Sequence, residues 1–318
     1  MFNFSKISQE LLKGLSERQK EIIVRRFGLK TGEPETLQKI GDDFDITRER
    51  VRQIEAEGIK KIKPRVENYK EAISFLENHL NQFGGVRKEN VLLEEFAGSK
   101  NTKVQSSVVF LMTLSGRFKK ISEDETYFTF WALDDKSISS AKKTMGDFQK
   151  KLEEAGKPME FTKEKQALSF IEISKRIKQN EEGLFGLKEW PEITPRGIKD
   201  KAYLVFRKVS KPLHFSDVSK MLKGSVLQTV HNELIKDARF VLIGRGIYAL
   251  KEWGYHPGQV KDVIAMVLSD SKTPLTKEEI LQKVSQQRMV KENTILLNLN
   301  NKKYFAKDSG GRYNIKEA

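Results

Sequence analysis

The sequence predicts a mainly α protein: an N-terminal helix-turn-helix followed by tandem winged-helix modules of the α+β type. Three observations predict it. Between residues 15 and 62, apolar residues recur at helical spacing in stretches opened by Ser or Thr and closed by Gly. Further along, one order of elements repeats, three helical stretches and then two β-rich runs around a Gly-bearing turn. At 318 residues the chain is also long enough for several such small units.

The first unit, 1–66, is the most explicit. Leu15-Ser16-Glu17-Arg18-Gln19 opens a helix that runs through Ile22, Ile23 and Val24 to Arg25-Arg26-Phe27, with Gly28 as its stop. A polar loop passes Gly32 and Pro34, Thr36 to Gly41 makes a short helix, and residues 42–46 form the turn. Thr47 then caps a longer helix, its hydroxyl accepting an otherwise orphaned backbone N–H. There Val51, Ile54, Gly58 and Ile62 keep the 3.6-residue period and face a small core. Arg48 and Arg52 lie on the opposite side with Glu49 and Gln53 beside them. Arg bonds guanine in bidentate fashion, Gln pairs with adenine and Glu accepts from cytosine, so the set suits base edges in the major groove. Taken alone, the run also fits a solvated charged helix. The preceding helix and turn argue for helix-turn-helix grammar, in which the second helix of the pair enters the groove. Gly58 costs a helix about 1 kcal/mol relative to Ala, which predicts another backbone packed close to it.

Residues 15–64 resemble the fourth conserved region of bacterial sigma-70 family sigma factors. The match runs without a gap from Leu15-Ser16-Glu17-Arg18 through Arg26-Phe27-Gly28, Thr36-Leu37 and Thr47 to Glu55. The resemblance implies that Arg48, Glu49, Arg52 and Gln53 read an upstream, −35-type promoter element in double-stranded DNA. It implies phosphate contacts for Arg18, Arg26, Thr36 and Leu37, and Arg50, Lys60 and Lys63 join them as backbone candidates. It also implies RNA polymerase as a partner, through the flap of the beta subunit. Glu57 stands where the family's best-known members carry a basic residue used near activators, so activator contact is not carried over. Residues 1–14 precede the match, and nothing after it resembles the aromatic and basic segment that melts promoter DNA. An autonomous initiation factor is therefore not expected.

The second theme is plainest in residues 195–255. Lys201 to Val209 reads as a helix, Lys211-Pro212-Leu213-His214-Phe215 breaks it, and Ser216-Asp217 caps a second helix through Val218 and Leu222. Leu227 to Lys236 gives a third helix. Phe240 to Ile243 and Ile247 to Leu250 then flank Gly244-Arg245-Gly246, whose two glycines are expected to supply the positive φ of a hairpin. Three helices and a hairpin make a winged helix. The ending Phe240-Val241, Gly244-Arg245-Gly246, Tyr248, Leu250 resembles the HARE-type helix-turn-helix domain, also found in the delta subunit of some bacterial RNA polymerases.

Residues 256–318 repeat the order: Val260 to Leu268, Glu278 to Val284 and Val290 to Asn300 as helices, then a hairpin around Gly310-Gly311. Residues 67–135 fit it too, with helices around Ala72 to Leu80, Val91 to Phe96 and Val104 to Leu114, and strands at Arg117 to Ile121 and Tyr127 to Trp131. Residues 136–194 read as a degenerate copy, in which Lys157-Pro158-Met159-Glu160-Phe161 parallels residues 211–215 and Gly183 to Leu187 makes a compressed wing. Arg245 at a wing tip and Lys302-Lys303 before the last hairpin are candidates for phosphate contact, against the plainer reading of solvated turn residues. The strand aromatics, among them Phe118, Tyr127, Phe128, Phe130, Trp131, Phe240, Tyr248, Trp253 and Tyr313, are expected in cores rather than stacked on bases.

Composition sets the outer limits. A net charge of +14 and a pI near 9.6 predict attraction to polyanions, nucleic acid first. No apolar run is long enough to span a membrane and no signal peptide is recognised, so a cytoplasmic, nucleoid-associated protein without membrane contact is expected. The absence of cysteine excludes disulfides and thiolate zinc sites. His79, His214, His231 and His256 are scattered without ligand spacing and read as surface or capping residues rather than metal ligands. Gly244-Arg245-Gly246 lacks the Lys and Ser/Thr of a phosphate loop. Glu164-Lys165 and Glu189-Trp190 lack the upstream strand Asp of a nuclease centre. No catalytic residue, metal, cofactor or small-molecule substrate is expected, and the protein does not read as an enzyme. The expected function is sequence-specific regulation of transcription at promoter DNA and at RNA polymerase. The alternative is a polymerase-docking scaffold or sigma competitor that reads no bases.

Overall fold

A computed structural model describes residues 2–271 and 273–316. The chain divides into two compact units, Met1–Glu189 and Trp190–Ala318. Helices dominate both and the sheets are small and antiparallel, the mainly α architecture with α+β modules that the sequence predicts.

In the first unit, α1 (Phe4–Leu11) is a helix the sequence reading did not anticipate. Asn3 caps it by accepting the Lys6 N–H, and Phe4, Ile7 and Leu11 are buried on one side. Next, α2 (Glu17–Phe27) opens on a reciprocal capping box between Ser16 and Gln19. It ends at Gly28 in the left-handed region, φ +65°. Thr36 caps the short α3 (Leu37–Asp43), and Thr47 caps α4 (Arg48–Ile62) as expected, its hydroxyl accepting the Arg50 N–H. A 3-10 helix over Lys63–Tyr69 leads into α5 (Lys70–Gln82).

The chain continues with β1 (Val86–Lys88), α6 (Glu89–Ala97), α7 (Thr102–Ser115), β2 (Lys119–Ile121) and β3 (Phe130–Ala132), the sheet running β1-β3-β2. It is followed by α8 (Asp135–Ala155), α9 (Lys165–Glu172) and the hairpin of β4 (Ile177–Gln179) with β5 (Phe185–Leu187). Met159 bridges Phe185 across that hairpin.

Two apolar cores meet in the head. Ile22, Ile40, Val51 and Ile54, backed by Leu37, Phe44 and Ile46, knit α2, α3 and α4 together. On the other side Ile23, Val24, Phe27, Ile59 and Ile62 join a larger core built with α1, α5, α6 and α7. The residue boundary at 66/67 thus falls inside one continuous core. Within it Phe27 of α2 meets Phe110 of α7 edge-on, ring centroids 4.9 Å apart. Gly58 fits here: a Cβ on it would lie 2.7 Å from Cδ1 of Ile23. The close neighbour is therefore a side chain, not the backbone that the sequence reading expected.

The second unit holds α10 (Gly197–Val209), β6 (Leu213–His214), α11 (Phe215–Met221), α12 (Leu227–Lys236), β7 (Phe240–Gly244) and β8 (Ile247–Leu250), with sheet order β6-β8-β7. Then come α13 (Val260–Ser271), α14 (Lys277–Gln287), α15 (Glu292–Leu299), β9 (Phe305–Lys307) and β10 (Tyr313–Ile315). Leu275 bridges Tyr313 where β6 pairs β8 in the preceding set.

Two local expectations fail. His214, not Ser216, caps α11, because its ring nitrogen accepts the Ser216 N–H. In the β7–β8 turn only Gly246 has positive φ, +70°. Gly244 is needed for space instead: Met289 bridges it, and a Cβ would come within 2.7 Å of the Met289 carbonyl. Beside that contact the buried guanidinium of Arg288 donates to the carbonyls of His256 (2.6 Å), Gly258 (3.0 Å) and Gln287 (2.7 Å).

Candidate nucleic-acid interface

The reading helix owes its position to its buried side. Val51 and Ile54 anchor α4 against α2 and α3, while Gly58 and Ile62 lie over Ile23. That seating turns Arg48, Glu49, Arg50, Arg52 and Gln53 to solvent, so the four predicted base readers share one exposed face. They are occupied only with their own helix. Glu49 accepts two bonds from Arg52, at 2.7 and 2.9 Å, and Gln53 accepts one from Arg50 at 3.0 Å. Arg52 holds the Glu49 carboxyl below its ordinary range, and Glu49 raises the guanidinium in return. Pairs three residues apart on an exposed helix are weak, so these side chains can be drawn from one another by a stronger partner.

The turn before α4 fixes its angle of entry. Ile46 N–H returns to the Gly41 carbonyl at 3.0 Å, and Asp45 takes the left-handed conformation that Asp tolerates, φ +53°. Gly41 has no room for a side chain, because a Cβ would sit 2.6 Å from the Ile46 carbonyl oxygen. Behind the turn, Arg25 of α2 bonds Glu35 at 2.7 Å and also pairs with Asp43, and Lys39 reaches Glu35 at 3.3 Å. The Arg25 bond holds the Glu35 carboxyl below its ordinary value. These contacts tie the polar loop, α2 and α3 into one frame.

The predicted phosphate contacts divide into two kinds. Arg18, Arg50, Lys60 and Lys63 are exposed, Arg18 lying 5.7 Å from the Phe44 ring centroid. Thr36 is exposed as well, although its oxygen already accepts the Lys39 N–H. Leu37 turns its side chain into the head core, so only its backbone N–H, at the first position of α3 where helix donors have no intrahelical partner, is left as a candidate phosphate donor. Arg26 is different. It donates to the Glu35 carbonyl at 2.9 Å, and its buried Nε lies 3.7 Å from Glu55 with no hydrogen bond. Burial pushes the Glu55 carboxyl up, opposed by Arg26 and Arg52. Arg26 therefore braces α2 against the loop and α4, a role the sequence did not reveal.

Arg245 lies exposed at the β7–β8 turn, in the second unit. Among the described residues no group of three or more His, Asp or Glu is arranged to hold a metal ion, and no helix is long and apolar enough to cross a membrane. His79 bonds Glu95 at 2.8 Å, and His231 stacks on Phe215.

Comparison with known proteins bears on this same segment. Residues 11–63 match the family described as Sigma-70, region 4. Over 57 residues, 18% of the chain, the protein is 39% identical to the RNA polymerase sigma factor RpoD of Neisseria gonorrhoeae, covering 9% of that protein. Over 55 residues, 17% of the chain, it is 46% identical to the RNA polymerase sigma-C factor of a Nostoc species, covering 13% of it. The shared stretch is thus a small fraction of these relatives. Residues 11–63 are thus similar to sigma-70 region 4, and α2, α3 and α4 lie within that stretch.

Proposed function

We propose that this protein regulates transcription by binding promoter-type double-stranded DNA, with Arg48, Glu49, Arg52 and Gln53 reading bases of a −35-like element. The observation that carries the reading is the outward, shared face of those four side chains on a helix whose buried side is fully packed. Arg18, Thr36, Arg50, Lys60, Lys63 and the Leu37 amide hold the phosphate backbone and set the register; Arg26 serves chiefly by keeping that frame rigid. RNA polymerase is the second partner, the relatives being named for it, with the beta-subunit flap as the expected handhold. The back of α2 and α4 is already covered by α1 and α7, so this contact uses other surfaces.

We read residues 67–135, 195–255 and 256–318 as winged helices and 136–194 as a degenerate one, with 195–255 of the HARE type. The support is the recurrent order of helix, strand position, two helices and hairpin, with the first strand position pairing the last strand. The copy at 136–194 has one helix, α9, between its strand position and its hairpin. Binding of the full chain to duplexes with a −35-type hexamer and with its scrambled counterpart tests the main reading. A clear preference for the hexamer that Arg52→Ala abolishes is the expected result. Equal binding by parent and variant, with polymerase still captured, would favour the scaffold reading instead.

A further inference from the structure

The chain's positive charge is not where its reading helix is. Residues 190–318 hold 23 Lys and Arg against 13 Asp and Glu, so this unit carries +10 of the chain's +14. The first unit, with its reading helix, is close to balance. Among the described residues of the second unit much of the charge is unpaired, and in one place it converges.

That place is a cleft of about 470 Å³ between the start of α13 and the two chain segments flanking the last hairpin. Lys261, Lys303 and Lys316 line it together with Tyr304, whose carbonyl accepts the Lys316 N–H at 2.9 Å and so ties the two segments side by side. The ammonium groups of Lys261 and Lys303 lie 4.9 and 5.7 Å from the Tyr304 ring centroid. Among the described residues none of the three lysines forms an ion pair. Asp262, the one carboxylate lining the cleft among the described residues, is committed to the backbone at its own helix start, accepting the Gln259 N–H at 2.7 Å.

The ammonium groups of Lys261 and Lys303 gather at one ring, Lys316 lines the same cleft, and none of the three is ion-paired among the described residues; like charges so close repel one another, and an anion relieves that repulsion. We propose that this cleft is a second DNA contact, one that takes backbone phosphates without reading bases. A protein that neutralises phosphates releases condensed counterions, so such a surface strengthens binding to every sequence and steepens its salt dependence. The proposal does not depend on which bases the head prefers, or on whether it reads any.

The test uses the full chain carrying Lys261→Gln, Lys303→Gln and Lys316→Gln together. Affinity is measured against a −35-type duplex and a scrambled duplex across a range of salt concentrations. Each lost phosphate contact lowers the slope of log affinity against log salt by about 0.9, so the variant's slope should be shallower by about 2–3 on both duplexes. The preference of one duplex over the other should stay as in the parent. An unchanged slope overturns the proposal. So does an unchanged slope accompanied by loss of RNA polymerase capture, which would make the cleft a protein-binding surface. A parent with no duplex preference would count against base reading by the head, yet the slope comparison would still decide the role of the cleft.

Discussion

Arg52 and Glu49 form a matched pair on the exposed face of α4, and the proposed reading has both turn from each other to base edges. Losing a bidentate base contact costs about 1–3 kcal/mol of discrimination. Arg52→Ala should therefore reduce preference for the target duplex by that amount while leaving thermal stability nearly unchanged, which gel shift and melting curves together would check. Arg18→Ala should weaken all sequences alike and lower the salt slope by about 1. Arg26→Ala should do more: with the Glu35 carbonyl deprived of its donor, the melting temperature should fall too. Gly41→Ala is the sharpest structural test at this scale. The helix gains about 1 kcal/mol from Ala, but the Cβ would meet a carbonyl oxygen that cannot move without shifting the turn. We expect a net loss of about 1–3 kcal/mol, with DNA binding impaired. Gly58→Ala should be milder, since a side-chain end is the obstacle there.

At the scale of elements, the frame behind α4 has a pH signature. The Glu35 carboxylate is bound by Arg25 and held below its ordinary value of about 4.5. Its stabilising effect is therefore complete above that pH and is lost as pH falls through the lower folded value. Glu35→Gln should melt below the parent at neutral pH, and the gap should close on acidification through the lowered folded value. A gap that widened in acid would contradict this account. The helices themselves were unequally legible in the sequence. For α2, α3 and α4, caps, apolar period and stop signals agree, so their positions were readable. By contrast α1 has eight residues, too few to be stable alone, and its place depends on burial against α7, which local patterning does not report. Met145, Phe148 and Leu152 of α8 do keep a helical period behind an Asp134 cap, a signal that was present and passed over. The role of Gly244 is set from far along the chain, by Met289, and so is not legible locally; at α11 the signal is local, but His214 accepts the Ser216 N–H and takes the capping place for which residue type favours Ser.

Across the whole of the first unit, the head and the module after it are not independent. The buried face of α7 includes Val108, Phe110, Leu111 and Leu114, in the core that also holds Ile23 and Ile62 of the head. Phe110→Ala should cost about 3–5 kcal/mol, and hydrogen exchange should accelerate in α2 and α4 as well as in α7. Protection lost in α7 alone would mean the two parts fold separately. The candidate base-reading set lies within nine consecutive residues, 47–55, because recognition by a helix needs only one turn-periodic face. What supports that face comes from residues up to sixty positions away, and no local motif announces it.

In the second unit, Arg288 has exchanged water for three carbonyl oxygens, two of them in the loop that leaves β8. Gln287 adds a donor to Gly254 and an acceptor for the His256 N–H. The loop at 254–258 is thus clasped by residues thirty positions later, which add to the Gly254 N–H bond to Lys251 and the packing of Tyr255. A protease that trimmed the chain after residue 286 would therefore strip this segment of its clasp, and the next cut should come there rather than at the freshly made end.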